Sequence, residues 1–507
     1  MITTTDPRTG REIDTALQPT SEEDVAVATR AAAAVAADLA DHPRDWRADL
    51  LDRIADALDA DRTGLVATAD RETGLGDARL SGELTRSVVQ FRMFADAVRE
   101  GSYLEAIIDH AATTELGPAP DVRRMLVPLG PVAVFGSSNF PFAFSVAGGD
   151  TASALAAGCP VIVKAHSAHP LTSARSFDAI SRAIADAGAP EGTFGIVYGQ
   201  RAGAALVADP RITAVGFTGS LSGGMALQRI IDAREQPIPL FGELSSLNPL
   251  FITPGAAAAR ADAIAGDLFG SVTGSAGQLC TKPGVAFVPS GPAGDDLVDE
   301  LARRVAESSS QVLLNRRIHD SFREIRDRVL AVPGARERAR GSEHEADGFA
   351  VAPTLVETTA GDLSAELVEE AFGPLVVVVR YPDPDGLVQA ASVVPKSLTA
   401  TLHHEPDEIE LARRLSADLA PWAGRLVFNG YPTGVRVAWA QQHGGPWPAT
   451  NSQHTSVGMT AMRRFLRPLA WQNAAAELLP AELQDGPVGI PRRVDGVLTL
   501  PAVDSTP

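Results

Sequence analysis

The chain of 507 residues contains only two cysteines, Cys159 and Cys280, and neither belongs to a CxxC pair. This scarcity excludes a disulfide-stapled scaffold and a cysteine-rich zinc site, because both need several closely spaced cysteines. Two histidine pairs, at 166/169 and 403/404, could suggest metal ligands, but no carboxylate or cysteine completes either set. We therefore expect no metal site.

Long apolar runs and basic clusters are also missing. No stretch of about 18 uninterrupted apolar residues occurs, so the sequence predicts no membrane-spanning helix. The net charge is −19, which argues against nucleic acid or an anionic membrane as the main partner. The start, Met1-Ile-Thr-Thr-Thr, lacks the charged-then-apolar pattern of a signal peptide. We expect a cytoplasmic protein.

The pattern of apolar segments predicts an α/β protein with more than one domain, as its length also suggests. Two alanine-rich helical stretches, about 21–40 and 44–73, come first. Apolar strands then alternate with helices, with strands near 132–135, 161–164, 194–197, 213–217 and 238–241, and helices near 145–157, 172–187, 201–208 and 221–234. Such alternation predicts βαβ crossovers and a parallel sheet. A second α/β region, about 244–440, includes the buried-strand patterns Leu375–Arg380 and Gly424–Asn429.

The two cysteines lie in contrasting surroundings. Cys159 precedes the apolar strand Val161-Ile-Val-Lys164, as expected of a packed structural cysteine. Cys280 lies in the polar, glycine-rich segment Gly274-Ser-Ala-Gly-Gln-Leu-Cys-Thr-Lys-Pro-Gly284. A thiolate is a strong nucleophile. Cys280 is therefore a candidate nucleophile, and Cys159 is not.

Two polar residues at strand ends are candidates for the other roles in acyl chemistry. Glu243 follows the apolar run Ile238-Pro-Leu-Phe241, where desolvation would raise its pKa and suit a general base. Asn139 ends a Gly-Ser-Ser-Asn turn after the first strand, and its amide could donate to a developing oxyanion. The alternatives are a capping or solvated glutamate and an ordinary turn asparagine.

Together, the segments around Asn139, Glu243 and Cys280 resemble the aldehyde dehydrogenase superfamily, in which such residues supply the oxyanion donor, the general base and the nucleophile. The resemblance covers nearly the whole chain and includes Val161–Pro170, Phe217-Thr-Gly-Ser220 and Glu369-Glu-Ala-Phe-Gly-Pro374. It implies an aldehyde dehydrogenase-like fold and a homodimer or homotetramer. The expected parts are a dinucleotide-binding domain (1–111 and 132–243), a catalytic domain (244–440) and an oligomerisation arm (112–131 and 465–490).

The resemblance also implies a nicotinamide cofactor, bound without the Gly-x-Gly-x-x-Gly motif that this chain lacks after its first strand. Lys164 would bind the adenine ribose, Glu370 the nicotinamide ribose, and Phe372 would pack near the ring. The turn containing Phe217, Gly219 and Ser220 would open a helix towards a phosphate. The alternatives are a solvated strand end for Lys164, a salt-bridged surface carboxylate for Glu370 and a plain tight turn.

Ser167 bears on the choice of cofactor. Family members that favour NAD often carry a glutamate at this position, three residues after the lysine. A serine can donate a hydrogen bond to the 2′-phosphate of NADP, whereas an acidic group would repel it. We expect NADP to be preferred and NAD to be usable. Arg201 is a candidate second cation, with placement on the surface as the favoured alternative.

The implied reaction oxidises an aldehyde to a carboxylic acid through a thioester on Cys280, which water activated by Glu243 then hydrolyses. Ser138 replaces a frequent tryptophan, and Leu244-Ser-Ser replaces a usual glycine pair. These departures resemble the bacterial 2,5-dioxovalerate (α-ketoglutarate semialdehyde) and NADP-dependent aliphatic aldehyde dehydrogenases. We expect α-ketoglutarate semialdehyde as the substrate. Arg463 and Arg464 are candidates to pair its carboxylate, with subunit packing as the equal alternative for both.

Three alternatives remain open from the sequence. The same branch includes enzymes for medium-chain or long-chain aliphatic aldehydes. A CoA-acylating dehydrogenase would release the thioester to CoA, although such chemistry needs no water-activating Glu243. An inactive dinucleotide-binding structural protein would not need the three candidate catalytic residues.

Overall fold

The computed structural model describes residues 1–343 and 348–501. The α-helices α1 to α13 of these residues are, in chain order, Glu22–Asp41, Arg44–Ala60, Arg62–Thr73, Asp77–Glu100, Gly149–Ala157, Pro170–Asp186, Gln200–Ala208, Leu221–Asp232, Pro254–Thr273, Pro292–Ala306, Arg316–Ala331, Pro384–Ala391 and Ile409–Leu419. Short 3₁₀ helices span Ser102–Leu104, Gly274–Gly277, Ala365–Val368, Pro406–Glu408, Ala420–Trp422, Met459–Phe465, Ala476–Leu478 and Ala481–Leu483.

The strands β1 to β23 of the same residues are, in chain order, Thr3–Thr5, Glu12–Asp14, Ile107–Asp109, Ala112–Thr114, Gly117–Ala119, Val122–Pro128, Val132–Phe135, Val161–Lys164, Phe194–Val197, Ala214–Thr218, Leu240–Glu243, Leu250–Ile252, Val285–Pro289, Gln311–Val312, Arg336–Arg340, Ala350–Val351, Thr354–Thr359, Leu375–Tyr381, Ser397–His403, Ala423–Phe428, Leu466–Gln472, Arg492–Val494 and Val497–Thr499.

The first sheet is parallel and has the strand order β11-β10-β7-β8-β9. All five of its predicted strands and the four helices between them are present, which confirms the predicted βαβ alternation. The chain runs outwards from β7 through β8 to β9 and then returns to β10 on the other side of β7. Ligands bind at such a reversal of strand order, at the carboxyl ends of the strands. The segments after β7, β10 and β11 meet at that edge.

The second sheet has seven strands in the order β15-β17-β18-β13-β12-β19-β20, and only the edge strand β15 runs antiparallel to its neighbour. Alternate side chains of β18 pack into cores on opposite faces of the sheet. Val377 and Val379 belong to one core, and Val376 and Val378 to the other. Burial on both faces explains the uninterrupted valine run that predicted this strand.

The third sheet has the order β21-β6-β3-β22-β23, with β21 antiparallel to β6. It takes in Ile107–Asp109 and the two strands between 492 and 499, which lie outside the bounds 112–131 and 465–490 expected for an arm. The helical stretch expected at 44–73 is likewise divided, because Asp61 leaves helical geometry between α2 and α3. In the part of the chain that the structure describes, no helix is long and apolar enough to cross a bilayer.

Candidate active site

Cys280 is fixed by an unusual turn just before β13. Ser275, Ala276 and Gly277 all have positive φ angles, of 51°, 54° and 70°. A Cβ at Gly277 would lie 2.3 Å from the carbonyl carbon of Gly373, so only glycine fits there. The side-chain Nδ2 of Asn248 donates to the carbonyl oxygen of Cys280 at 2.8 Å. The cysteine therefore sits on backbone that is held in place before any ligand binds.

Glu243 is the last residue of β11, and its side chain is buried. His443 Nε2 lies 2.9 Å from Glu243 Oε1, and Ser456 Oγ donates to Glu243 Oε2 at 2.7 Å. Both partners come from the loop after β20, which we expected to be irregular and polar. The same His443 Nε2 lies 3.6 Å from Cys280 Sγ. The reactive atoms of Glu243, Cys280 and His443 all lie within 4.8 Å of one another.

Burial is the largest influence on the pKa of Glu243 and acts to raise it, as we expected from the sequence. The charge of His443 and the hydrogen bonds from His443 and Ser456 outweigh burial, so the pKa of Glu243 is lowered. The expected upward shift is therefore wrong in direction. An ionised carboxylate only accepts hydrogen bonds, so His443 Nε2 carries the hydrogen in the bond to Glu243.

The thiol of Cys280 has the opposite shift. Burial raises its pKa well above the usual range, and the negative charge of Glu243 and the contact with it add to the effect. At rest the pair is therefore a neutral thiol beside an ionised carboxylate. Such a pair can act as nucleophile and proton acceptor. Cys159, by contrast, is fully buried, its Sγ contacts the Phe465 carbonyl oxygen at 3.4 Å, and burial raises its pKa to about 11.

Asn139 lies beside the cysteine segment. Its Nδ2 donates one hydrogen bond, at 2.8 Å, to the carbonyl oxygen of Gln278. Arg79 Nη2 donates to the Asn139 carbonyl oxygen at 3.1 Å, which holds the turn from its other side. Because an amide carries two hydrogens, the second hydrogen of Nδ2 is free to donate to an oxygen developing next to Cys280.

A cavity of about 550 Å³ leads to these residues. Its lining includes Asn139, Glu243, Cys280, Ser167, Gly219, Ser220, Glu370 and Phe372 of the predicted site set. Lys164 and Phe217 are not among its lining residues. The volume is typical of a site for a small molecule or cofactor.

The N-terminus of α8 is one wall of this cavity. Ser220 caps the helix, since its Oγ accepts from the Gly223 amide at 3.2 Å, and Ser222 also lines the cavity. The Phe217 ring packs beneath the turn, and a Cβ at Gly219 would lie 2.7 Å from it. Helix N-termini of this kind attract phosphate through their free amides and dipole.

Two further predicted residues lie at the ends of this region. Lys164 ends β8, and burial lowers its pKa, while no described residue pairs with its ammonium group. Glu370 Oε2 accepts from the Ser246 amide at 3.2 Å. Burial raises the pKa of Glu370 to about 7, although the nearby Lys282 ammonium opposes this. A helix N-terminus and a carboxylate along one cleft suit a ligand that carries phosphates and hydroxyls, although Lys164 itself does not line that cleft.

The structure contradicts the expectation for Arg463 and Arg464. Arg464 is buried and its Nη2 donates to Asp150 Oδ1 at 2.7 Å, while Arg463 pairs with Glu105 at 2.8 Å. Both guanidinium groups are thus occupied by other elements of the fold. Arg201, the second expected cation, is exposed on α7 and does not line the cavity.

Sequence reasoning also missed three residues of the site. His443 and Ser456 contact Glu243, and Arg317, which is exposed, lines the cavity with Ser167. The one signal for His443 was its place at the start of the cluster His443-Gly-Gly-Pro-Trp-Pro448, which we had assigned only to an entrance loop.

Comparisons with known proteins complete the description. Residues 1–446 match the profile described as "Aldehyde dehydrogenase family". Alpha-ketoglutaric semialdehyde dehydrogenase 2 of Azospirillum brasilense is 48% identical over 462 residues, which cover 90% of this chain and 88% of that protein. Alpha-ketoglutaric semialdehyde dehydrogenase of Acinetobacter baylyi is 43% identical over 460 residues, covering 89% and 87%. A crystal structure of 1-pyrroline-5-carboxylate dehydrogenase from Thermus with bound NAD shares the fold, with a TM-score of 0.78 at 22% identity over 93% of this chain and 89% of that chain.

Proposed function

Because the chain belongs to the aldehyde dehydrogenase family, whose enzymes use NAD(P), we propose that it oxidises α-ketoglutarate semialdehyde to 2-oxoglutarate with NADP as the preferred cofactor. The names of the two relatives from Azospirillum and Acinetobacter support this substrate. The observation that carries the chemistry is the grouping of the reactive atoms of Cys280, Glu243 and His443 within 4.8 Å. These atoms are what an acyl-transfer cycle through a thioester requires.

In the proposed first step, Cys280 Sγ bonds to the aldehyde carbon. The thiol proton passes to the Glu243 carboxylate, which its lowered pKa keeps ionised, as the sulfur–carbon bond forms. The free hydrogen of Asn139 Nδ2 donates to the oxygen that becomes negative in the thiohemiacetal. A nicotinamide cofactor, when bound, would supply the hydride acceptor through which the thiohemiacetal becomes a thioester.

The second step uses the same carboxylate on water. Glu243, after releasing its first proton to solvent, takes a proton from a water molecule, and the water oxygen bonds to the thioester carbon. The carbon–sulfur bond then breaks, the acid leaves, and Cys280 recovers a proton. His443 and Ser456 are positioning residues here, because their hydrogen bonds orient the carboxylate and keep it ionised.

The cavity supports the cofactor assignment. Glu370 and Phe372 would face the nicotinamide end, and the N-terminus of α8 would face the pyrophosphate. Ser167 is neutral and lines the cavity together with Arg317. Burial is the largest cause of the lowered pKa of His166, and the charge of Arg317 contributes to it. A serine and an arginine suit a 2′-phosphate. Lys164 would add a third polar contact.

The cofactor preference is tested by kcat/KM for NADP against NAD. We expect a preference for NADP in the wild type and a shift towards NAD in Ser167→Glu, because the new carboxylate would repel the 2′-phosphate. Equal or better kcat/KM with NAD in the wild-type enzyme would refute the assignment.

The substrate is tested by kcat/KM for α-ketoglutarate semialdehyde against hexanal and decanal, followed through the absorbance of the reduced cofactor. A tenfold advantage for the alkanals, about 1.4 kcal/mol of transition-state binding, would reverse the choice. Added CoA should leave the rate unchanged, because Glu243 activates water. A CoA-dependent rate would favour the acylating alternative.

We also propose that the third sheet joins subunits into a homodimer or homotetramer. Its edge strand β23 carries the exposed apolar residues Val497 and Leu498, and Leu500 follows it, with 66%, 58% and 67% of their surfaces accessible. An open edge with apolar side chains favours pairing with another chain. Light scattering should give a mass of two or four chains, and a monomer at micromolar concentration would exclude the proposal.

A further inference from the structure

Arg86 is a largely buried cation with two nitrogens that lack an acceptor among the described residues. It lies on α4, where other arginines are paired: Arg79 with Glu83, Arg92 with Asp56 and Arg99 with Asp49. The Nε and Nη2 atoms of Arg86 are buried, and no described residue accepts a hydrogen bond from either. A buried charged donor left without an acceptor is costly. An acceptor from outside the chain, such as a bound anion, would satisfy these nitrogens.

The surroundings of Arg86 place this unused cation near the reactive cysteine. Its guanidinium carbon lies 5.2 Å from the centroid of the Phe144 ring, and that ring lies 6.2 Å from the ring of His443. His443 is in turn the residue that contacts Cys280. Burial lowers the pKa of Arg86, and the electrostatic interaction with nearby Cys280 is the largest influence that opposes burial.

Arg425 is a second cation that interacts electrostatically with Cys280. It lies on β20, its Nη2 donates to the Pro432 carbonyl oxygen at 2.7 Å, and its Nε is buried without an acceptor among the described residues. Burial lowers its pKa too, and the charge of Cys280 again opposes the shift. Two half-satisfied guanidinium groups therefore lie within electrostatic reach of one cysteine.

Neither arginine lines the cavity assigned to the cofactor. The two arginines therefore lie outside the cleft assigned to the dinucleotide. An enzyme that brings a hydride acceptor and an aldehyde together at one sulfur needs a second place for the aldehyde. Cations near that sulfur but outside the dinucleotide cleft favour an anionic substrate over an alkyl chain.

We propose that Arg86, with Arg425 as a second cation, binds the carboxylate of an ω-oxo carboxylic acid whose aldehyde end is attacked by Cys280. The Phe144 ring contacts the Arg86 guanidinium group. The guanidinium nitrogens stay free to donate two parallel hydrogen bonds to a carboxylate. The inference rests on the proposed function and specifies which residue selects its substrate. It assigns to Arg86 the role that we had expected of Arg463 or Arg464.

The test compares Arg86→Leu, Arg86→Lys and the matched control Arg92→Leu on an exposed position of the same helix. We expect Arg86→Leu to lower kcat/KM for α-ketoglutarate semialdehyde about 100-fold, mainly through KM, while kcat/KM for hexanal changes less than about twofold. Arg86→Lys keeps the charge but loses the fork, so it should fall between wild type and Arg86→Leu. Arg92→Leu should behave as wild type on both aldehydes.

Binding without turnover gives an independent readout. Calorimetric titration of the wild-type enzyme with 2-oxoglutarate should show binding that Arg86→Leu weakens by a similar factor. Unchanged oxidation of hexanal by Arg86→Leu would show that the variant is folded. If Arg86→Leu were unfolded, Arg86→Lys, which cannot form the two parallel hydrogen bonds, would be compared with the wild type on the same two aldehydes and on 2-oxoglutarate.

The outcomes separate the inference from the proposed function. If the wild type prefers the semialdehyde and Arg86→Leu keeps that preference and its affinity for 2-oxoglutarate, the inference is wrong and the proposed function stands. If the wild type prefers hexanal, the proposed substrate is wrong and the carboxylate site falls with it. If both aldehydes lose activity equally in Arg86→Leu while 2-oxoglutarate binding is unchanged, Arg86 is structural.

Discussion

Replacing Ser456 by alanine should move the acidic limb of the pH–rate profile upwards. The hydroxyl of Ser456 donates to Glu243 Oε2 at 2.7 Å and helps to lower the pKa of this buried carboxyl against the effect of burial. A hydrogen bond to a charged group is worth about 1.5–3 kcal/mol, and one pKa unit corresponds to about 1.36 kcal/mol. Losing the bond should therefore raise the pKa of Glu243 by roughly one to two units.

The sign of the effect follows from the role of Glu243 as a base. The carboxyl works only when ionised, so activity is retained above its pKa and lost as the pH falls through it. In the wild type the lowered pKa places this loss below the ordinary glutamate value of about 4.3. In Ser456→Ala the loss should begin at higher pH, while the rate on the alkaline side of the limb changes less.

The assay is kcat/KM for the aldehyde at saturating cofactor, extended to the lowest pH at which both enzymes stay folded. The limb of Ser456→Ala should enter this range at a higher pH than that of the wild type. Ser452→Ala is the matched control, because this serine lies on the same loop and its hydroxyl accepts only from the His454 amide among described residues. An acidic limb that stays in place or moves downwards in Ser456→Ala would refute the electrostatic account of Glu243.

Three further predictions concern the nucleophile, the base and acid stability. Cys280→Ala should abolish oxidation while cofactor binding measured by fluorescence persists, and Cys159→Ala should keep near wild-type turnover; activity in the first variant would sink the thioester mechanism. Glu243→Gln should slow thioester hydrolysis more than hydride transfer, seen in stopped flow as a burst of reduced cofactor where acylation remains competent, whereas wild-type turnover would make Glu243 structural. Burial lowers the pKa of His169 to about 4, so the free energy of unfolding should fall by up to about 3 kcal/mol as the pH drops from 6.5 towards 4. Urea titrations should show that this free energy depends less on pH in His169→Gln than in the wild type. An equal pH dependence would assign the loss to other groups.

The sequence predicted the elements of the two large sheets because their strands are buried on one or both faces. The apolar run at 375–380 needs no partner information to be recognised as a strand. The third sheet was harder, because its strands at 107–109 and 492–494 are short and partly exposed, which gives them no strong periodicity. The break at Asp61 carries no glycine or proline, so nothing local announced it.

The candidate site shows the same division between local and distant information. Cys280, Glu243 and Asn139 each stand in a motif that can be recognised locally. The pKa direction of Glu243 depends on His443, which is 200 positions away, and no local pattern distinguishes that histidine from a loop residue. The expectation for Arg464 was wrong because its partner is also distant in the sequence. Asp150, on a different element, pairs with its guanidinium group.

The catalytic pair is divided between two sheets. Glu243 ends a strand of the first sheet, and Cys280 is anchored through Asn248, whose Oδ1 accepts from the Thr399 amide on the second sheet at 3.2 Å. A small slip of one sheet against the other would separate carboxylate from sulfur while leaving every strand and helix intact. Enzymatic turnover therefore depends on the relative position of the two sheets. Mild denaturant should abolish activity at concentrations that leave the secondary structure intact.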